Sequence, residues 1–315
     1  MSLPVLVELV RSGVVESTHQ ASVVALRADG SVALALGLVD APIFPRYSNK
    51  PLQAVGMLEA GWQPADEQVL ALATASHSGE PQHLQVVRRS LSAAGLTEDA
   101  LQCPAQLPLS EAAAHALLAA GERASRLTMN CSGKHAAMLA TCVANGWSVE
   151  DYLKPDHPLQ IVLLATVERL AGEPVKHVAV DGCGAPQHAL TLTGLARAFA
   201  ALATGGGAVR RTAEAMRAFP GLVGGTGRDV TALLEGIDGL VCKDGAEGVF
   251  AAALPDGSAV AVKVADGAMR AATPVLVGGL RALGVTAEVL DRLGTAPVLG
   301  GGVPVGVLRP SDLLP

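Results

Sequence analysis

Aromatic residues are scarce: Phe, Tyr and Trp make up 3% of the 315 residues, although half of the chain is hydrophobic. The core must therefore be built mainly from Ala, Val and Leu. No run approaches the ~18 consecutive apolar residues of a membrane span. Residues 1–20, MSLPVLVELVRSGVVESTHQ, lack a basic stretch followed by an unbroken apolar segment, so no secretory leader is expected. These absences predict a cytoplasmic protein without a membrane partner. The formal charge of −6 comes without a dense basic block, which argues against nucleic-acid binding through phosphate contacts and favours a small neutral or zwitterionic partner. The CxxC and HxxxH spacings of familiar structural zinc sites are also missing. Five cysteines, an odd number, read as free thiols or metal ligands in a reducing compartment.

What is present is a chain rich in tight connections, with 35 Gly and 19 Pro. Residues 5–37 read as strands, with Asp29-Gly30 supplying the positive-φ positions of a hairpin. A second hairpin is expected to turn at Asp256-Gly257. Between them lie helical stretches: residues 51–61 with a proline in the first turn, 80–95, 110–124, and 134–146 ending at Asn145-Gly146. The next begins at Asp156 as N-cap. A late helix is expected over 267–284 despite Pro274, and ATGGGAVRR reads as a loop joining helices. The strands flank a mainly helical middle, so the first and last segments should pair in one sheet with helices packed against it. No repeat or linker divides the chain, and one domain over 1–315 is expected.

Four stretches can carry chemistry. In YSNK, Lys50 follows two hydroxyls at a strand-to-helix junction. Lysine serves as a base when burial or a neighbouring cation lowers its pKa, and three-residue spacing favours Tyr47 over Ser48 as its partner. A surface lysine after a turn is the plainer alternative. In ATASHSGEPQH, Ser76 follows an apolar run that resembles a strand ending at a sheet edge; a polar turn opening a helix reads equally well. In NCSGKHAAML and DGCGAP, Cys131 and Lys134 sit at a helix start and Cys183 lies between glycines. The two cysteines could share a metal or be buried structural thiols, and Cys103, Cys142 and Cys242 read as plain thiols. Lys263, in AVAVKVADG, either faces solvent by strand alternation or points into a site. GGTGRDVTALL lacks the spacing of a phosphate-binding loop.

Taken in order, RYSNKPLQA, ASHSGEPQH, NCSGKHAAMLA, DHPLQ, DGCGAP, GGTGR and AVKVADG resemble the rhizobial-type L-asparaginases of the asparaginase II family. The resemblance implies an α/β fold (an α+β sandwich), a sheet flanked by helices with a helical lobe, like that of serine β-lactamases and penicillin-binding proteins. It further implies a homodimer that hydrolyses L-asparagine through two serine–lysine pairs. Carried onto this chain, one pair uses Lys50 in a Ser-x-x-Lys motif and the other joins Ser76 to Lys263. A zinc ion is implied on Cys131, Lys134 and Cys183, with Asp181 close by.

One position departs from the family. The serine of the Ser-x-x-Lys motif falls on Tyr47, and Ser48 comes one residue late. Three outcomes follow: Ser48 serves Lys50, Ser76 with Lys263 is the working pair, or the change weakens or redirects the enzyme. Hydrolysis of another small amide, or amino-acid sensing without turnover, are the alternatives to asparagine hydrolysis.

Overall fold

The computed structural model describes residues 3–315. Its strands are β1 (Val5–Arg11), β2 (Val14–Leu26), β3 (Val32–Leu36), β4 (Pro42–Ile43), β5 (Val178–Val180), β6 (Pro186–His188), β7 (Leu190–Thr191), β8 (Val241–Asp244), β9 (Val249–Ala253), β10 (Ala259–Val264), β11 (Ala296–Gly300) and β12 (Val303–Pro310). Eight of them form one antiparallel sheet in the order β11-β12-β1-β2-β10-β9-β8, with β3 also on β2. The long strand β2 holds this sheet together. Its first half pairs with β1 and its second half with β10 and β3, with register shifts against β1 and β3 that let the sheet curl. The chain's first and last strands pair as β1 and β12. Both expected hairpins form, with Gly30 and Gly257 at positive φ.

The helices are α1 (Lys50–Glu59), α2 (Glu67–Ala73), α3 (Pro81–Ala93), α4 (Glu111–Ala119), α5 (Ser132–Asn145), α6 (Pro158–Ala171), α7 (Leu192–Thr204), α8 (Gly207–Ala218), α9 (Pro220–Val223), α10 (Asp229–Gly236), α11 (Met269–Ala282) and α12 (Glu288–Leu293). The fold is mixed α/β: α7 and α11 pack on the sheet, while α1, α2, α3, α5 and α6 pack largely on one another. The buried side chains are mostly Ala, Val and Leu, as the shortage of aromatics requires. Among the described residues no single helix is long and apolar enough to cross a membrane.

Three local expectations are corrected. The apolar run before Ser76 is the helix α2, capped by the Asp66 carboxylate on the Val69 amide; a short apolar run carries no period that separates strand from helix. Helix α6 is capped by His157, whose Nδ1 accepts from the Leu159 amide, and not by Asp156. The glycine-rich joint is only Gly205–Gly206, because α8 starts at Gly207 and turns 88° from α7.

Candidate active site

Helix α1 begins at Lys50 after a single 3-10 turn, Arg46–Asn49, and Pro51 occupies its first turn, where a missing N–H costs nothing. The α1 face that packs on the other helices buries Lys50 completely. Its ammonium reaches the extended segment that leaves α2, donating to Ala75 O at 2.5 Å and to Ser76 Oγ at 3.1 Å. That segment is held on both sides. His77 N donates to Asn130 O, Ser78 N donates to Gly224 O, and the His77 ring bonds to Ser132 Oγ at 2.8 Å. Ser76 is 3% exposed and opens into a cavity of about 440 Å3 whose lining includes Tyr47, Asn130, Arg228, Asp244 and Gly245.

Across the cavity β8 ends in Lys243 and Asp244. Lys243 is fully buried and donates to the Asp244 carbonyl at 2.8 Å and to the Asp244 carboxylate. Burial pulls its pKa down, the Asp244 carboxylate opposes this, and the positive charge of Lys50 lowers it again, leaving it at about 8. Burial raises the pKa of Asp244, but Lys243 and Arg228 outweigh it and bring the carboxyl to about 2. Arg228 binds the other Asp244 oxygen and reaches Ser76 O at 3.4 Å. Ser76 and the Arg228–Asp244 pair therefore line one cavity, with Lys50 and Lys243 buried behind them on Ser76 and Asp244. This composition suits activation of a hydroxyl by a neighbouring amine.

The sequence candidates separate. Lys50 and Ser76 come together. The expected pairing of Ser76 with Lys263 does not form: Lys263 Nζ donates to Glu247 O at 2.5 Å and Val264 O at 2.7 Å, because β10 carries it toward the outer side of the β8–β9 turn. Ser48 Oγ is turned into its own helical turn, donating to Pro45 O at 2.7 Å. Tyr47 does share a face with Lys50, yet it offers its ring, with Lys50 Nζ 4.5 Å from the ring centroid. A Cβ added at Gly182 would lie 3.2 Å from the Tyr47 hydroxyl, so the phenol is aimed at the Gly182–Cys183 turn and makes no hydrogen bond to Lys50. Burial raises its pKa, and Cys131, Asp181 and Cys183 add to the effect.

Cys131, Lys134 and Cys183 also converge. Cys131 occupies the position before α5, Lys134 lies in the first turn of that helix, and Lys134 Nζ is 3.2 Å from Cys183 Sγ. The thiol of Cys131, with Lys134 and His135 nearby, holds Cys183 far below the ordinary thiol range. His135 is buried; its Nδ1 lies 2.7 Å from the Tyr152 hydroxyl, and its ring lies beside Cys183. Two sulfurs, a lysine nitrogen and, at their edge, an imidazole nitrogen are gathered in one buried cluster. Zinc would accept this donor set only with Lys134 neutral, whereas burial, which lowers the Lys134 pKa, is outweighed by the neighbouring Cys183 and Cys131, which raise it. Among the described residues no group of three His, Cys, Asp or Glu side chains could hold a metal without the lysine. Asp181 is engaged elsewhere, accepting from Arg46 Nε and the Gly182 amide, both at 2.8 Å.

Sequence reasoning missed Lys243, Asp244 and Arg228. A signal was there in GLVCKDG, where a charged pair ends a strand that is otherwise apolar and leads into a glycine turn. Lys263, in its own apolar strand, drew the attention instead. Arg228 lay inside GGTGRDV, a stretch read against a phosphate loop and counted in the family resemblance without a role for the arginine.

A sequence profile of the family described as L-asparaginase II matches residues 7–310. Comparison with curated proteins gives no match. Among solved structures the chain is similar to Mglu in its native form, at 15% identity and a TM-score of 0.43, covering 84% of this chain and 62% of that one. It is also similar to EstCE1, described as a hydrolase with promiscuous acyltransferase activity, at 12% identity and a TM-score of 0.41, covering 87% and 93%. The chain thus spans less than two thirds of the length of Mglu.

Proposed function

We propose that this chain, which belongs to the L-asparaginase II family, hydrolyses L-asparagine to L-aspartate and ammonia with Ser76 as nucleophile and Lys50 as its base. The observation that carries the reading is the 3.1 Å contact between Lys50 Nζ and Ser76 Oγ beside the cavity. As Ser76 Oγ attacks the side-chain amide carbon, neutral Lys50 takes its proton. The C–N bond breaks as Lys50 returns that proton to the nitrogen, and ammonia leaves a β-aspartyl ester on Ser76. Water, deprotonated by Lys50, then cleaves the ester, and Ser76 regains its proton.

Lys243 completes this chemistry. Two lysines in one buried site titrate as a pair, and above the pKa of about 8 at which Lys243 loses its proton the pair carries one charge fewer and has a neutral amine to offer. Arg228 and Asp244, side by side on the cavity wall, present both charges needed to face the carboxylate and ammonium of a free amino acid. Zinc, when bound, would be held by Cys131, Lys134 and Cys183 and would supply a positive centre that orders the Tyr47 side of the pocket. The reading includes the serine β-lactamase-like arrangement, with a lysine at the start of a buried helix facing a sheet edge, one catalytic unit over 1–315, and a homodimer.

Ammonia release from L-asparagine, measured for the purified chain and for Ser76→Ala and Lys50→Met, tests the proposal. Each variant is expected to lose about 10^3-fold or more in kcat. Tyr47 favours one second reading, because it fills the family's serine position with a hydroxyl turned away from Lys50. On that reading the chain binds an amino acid without turning it over. Thermal stabilisation by L-asparagine with no ammonia released would support it.

A further inference from the structure

Lys263 sends its ammonium beneath the turn that joins β8 to β9, at residues 245–248. Its two acceptors are backbone carbonyls, Glu247 O and Val264 O, so the side chain ties the turn to the end of β10. Glu247 holds a left-handed backbone with φ of 61°, a conformation that costs a non-glycine residue energy and persists only where its surroundings impose it. Two other contacts close the same joint: Val264 N donates to Gly248 O at 2.9 Å, and Gly248 N lies 3.3 Å from Met269 Sδ. On the cavity side Gly245 and Ala246 form part of the lining, as does Met269. Gly245 presses so closely on the helical turn before α1 that an added Cβ would stand 2.6 Å from Pro45 O. One turn therefore sets the distance between β8, which carries Lys243 and Asp244, and the turn that carries Tyr47.

We infer that Lys263 is a positioning residue: by clamping the Glu247 carbonyl from the far side, it fixes the 245–248 turn as the pocket wall against which the substrate is seated. The inference rests on the amidohydrolase reading for its kinetic consequence, while its structural consequence is independent of it. A clamp on the wall acts on substrate fit and leaves the Lys50–Ser76 contact untouched, so it affects KM more than kcat.

The test uses the full chain with Lys263→Met, which keeps the aliphatic stem and removes the donor, and Lys263→Arg, which keeps a donor. Hydrogen exchange is followed in the peptide covering 245–249 beside peptides from β9 and β10, and kcat and KM are measured for L-asparagine. In Lys263→Met, exchange over 245–249 is expected to speed up about tenfold with the flanking strands unchanged. KM should rise about fivefold with kcat within about twofold, and Lys263→Arg should restore most of both. Unchanged exchange over 245–249 in Lys263→Met overturns the inference, as does faster exchange throughout β9 and β10 or a raised KM that Lys263→Arg shares at wild-type exchange. If the wild-type chain releases no ammonia, the amidohydrolase reading fails and the exchange result alone decides the clamp. If Lys263→Met does not fold, Lys263→Arg decides it, with wild-type exchange and KM expected.

Discussion

Tyr47 covers the Lys50 ammonium with its ring and turns its hydroxyl toward the Gly182–Cys183 turn. Replacing it with Phe keeps the cover and removes only the hydroxyl, so Tyr47→Phe is expected to retain kcat/KM within about twofold. A loss of 100-fold or more would instead make the phenol the reacting group, and the initial-rate assay with L-asparagine distinguishes the two. The pH profile reports on the lysine pair. Burial depresses the pKa of Lys243, and the Lys50 charge deepens the effect, leaving it at about 8. Below that pH it is protonated and offers nothing to receive a proton; above it, it is a neutral amine. The profile of kcat/KM should therefore climb through pH ~8 and level off about one unit higher. In Lys243→Met this limb should vanish and leave low activity at every pH. A limb that persists unchanged would assign it to another group.

At the scale of elements, the position of Lys50 depends on how closely α1 can approach α6. Gly56 makes that approach possible, since an added Cβ there would meet Thr166 Oγ1 at 2.9 Å and Leu163 Cδ2 at 3.0 Å. Gly56→Val should cost about 2 kcal/mol, roughly 3–6 °C in Tm for a chain of this size. An unchanged melting curve would mean that α6 gives way. The elements themselves were legible wherever the sequence punctuates: Asp29-Gly30 and Asp256-Gly257 mark the hairpins, and Gly146 caps α5 in the left-handed conformation. Legibility failed where two readings share one pattern. The apolar run of α2 has no period long enough to exclude a strand, and His157 caps α6 with an imidazole nitrogen, a role for which Asp156 is the more usual candidate. The site was half legible for a similar reason. Lys50, Ser76, Cys131, Lys134 and Cys183 stand in recognisable motifs, but which strand lysine lies close to Lys50 is decided by strand order. Lys243 on β8 and Lys263 on β10 look alike in sequence, and only the sheet puts one on the cavity-lining Asp244 and the other behind the turn.

Across the whole molecule, the proposed active site has no local home. Lys50 and Ser76 belong to the helical layer, Lys243 and Asp244 to the edge strand of the sheet. Arg228, in the loop before α10, is the bridge that touches both Ser76 O and Asp244. The sheet edge in turn depends on β2, whose second half supports β10 and through it β9 and β8. Its first half joins the chain's two ends through β1 and β12. A site assembled from positions as distant as 47 and 244 can exist only while helical layer and sheet are packed together, and the buried apolar side chains form one cluster that runs through both. Urea titration should therefore remove ammonia release and far-UV circular dichroism over the same concentration range, in one cooperative transition. Activity that disappears well before the circular dichroism changes would show that the β8 edge or the Arg228 loop opens by itself. In that case the site would draw its geometry from a marginal local structure and not from the fold as a whole.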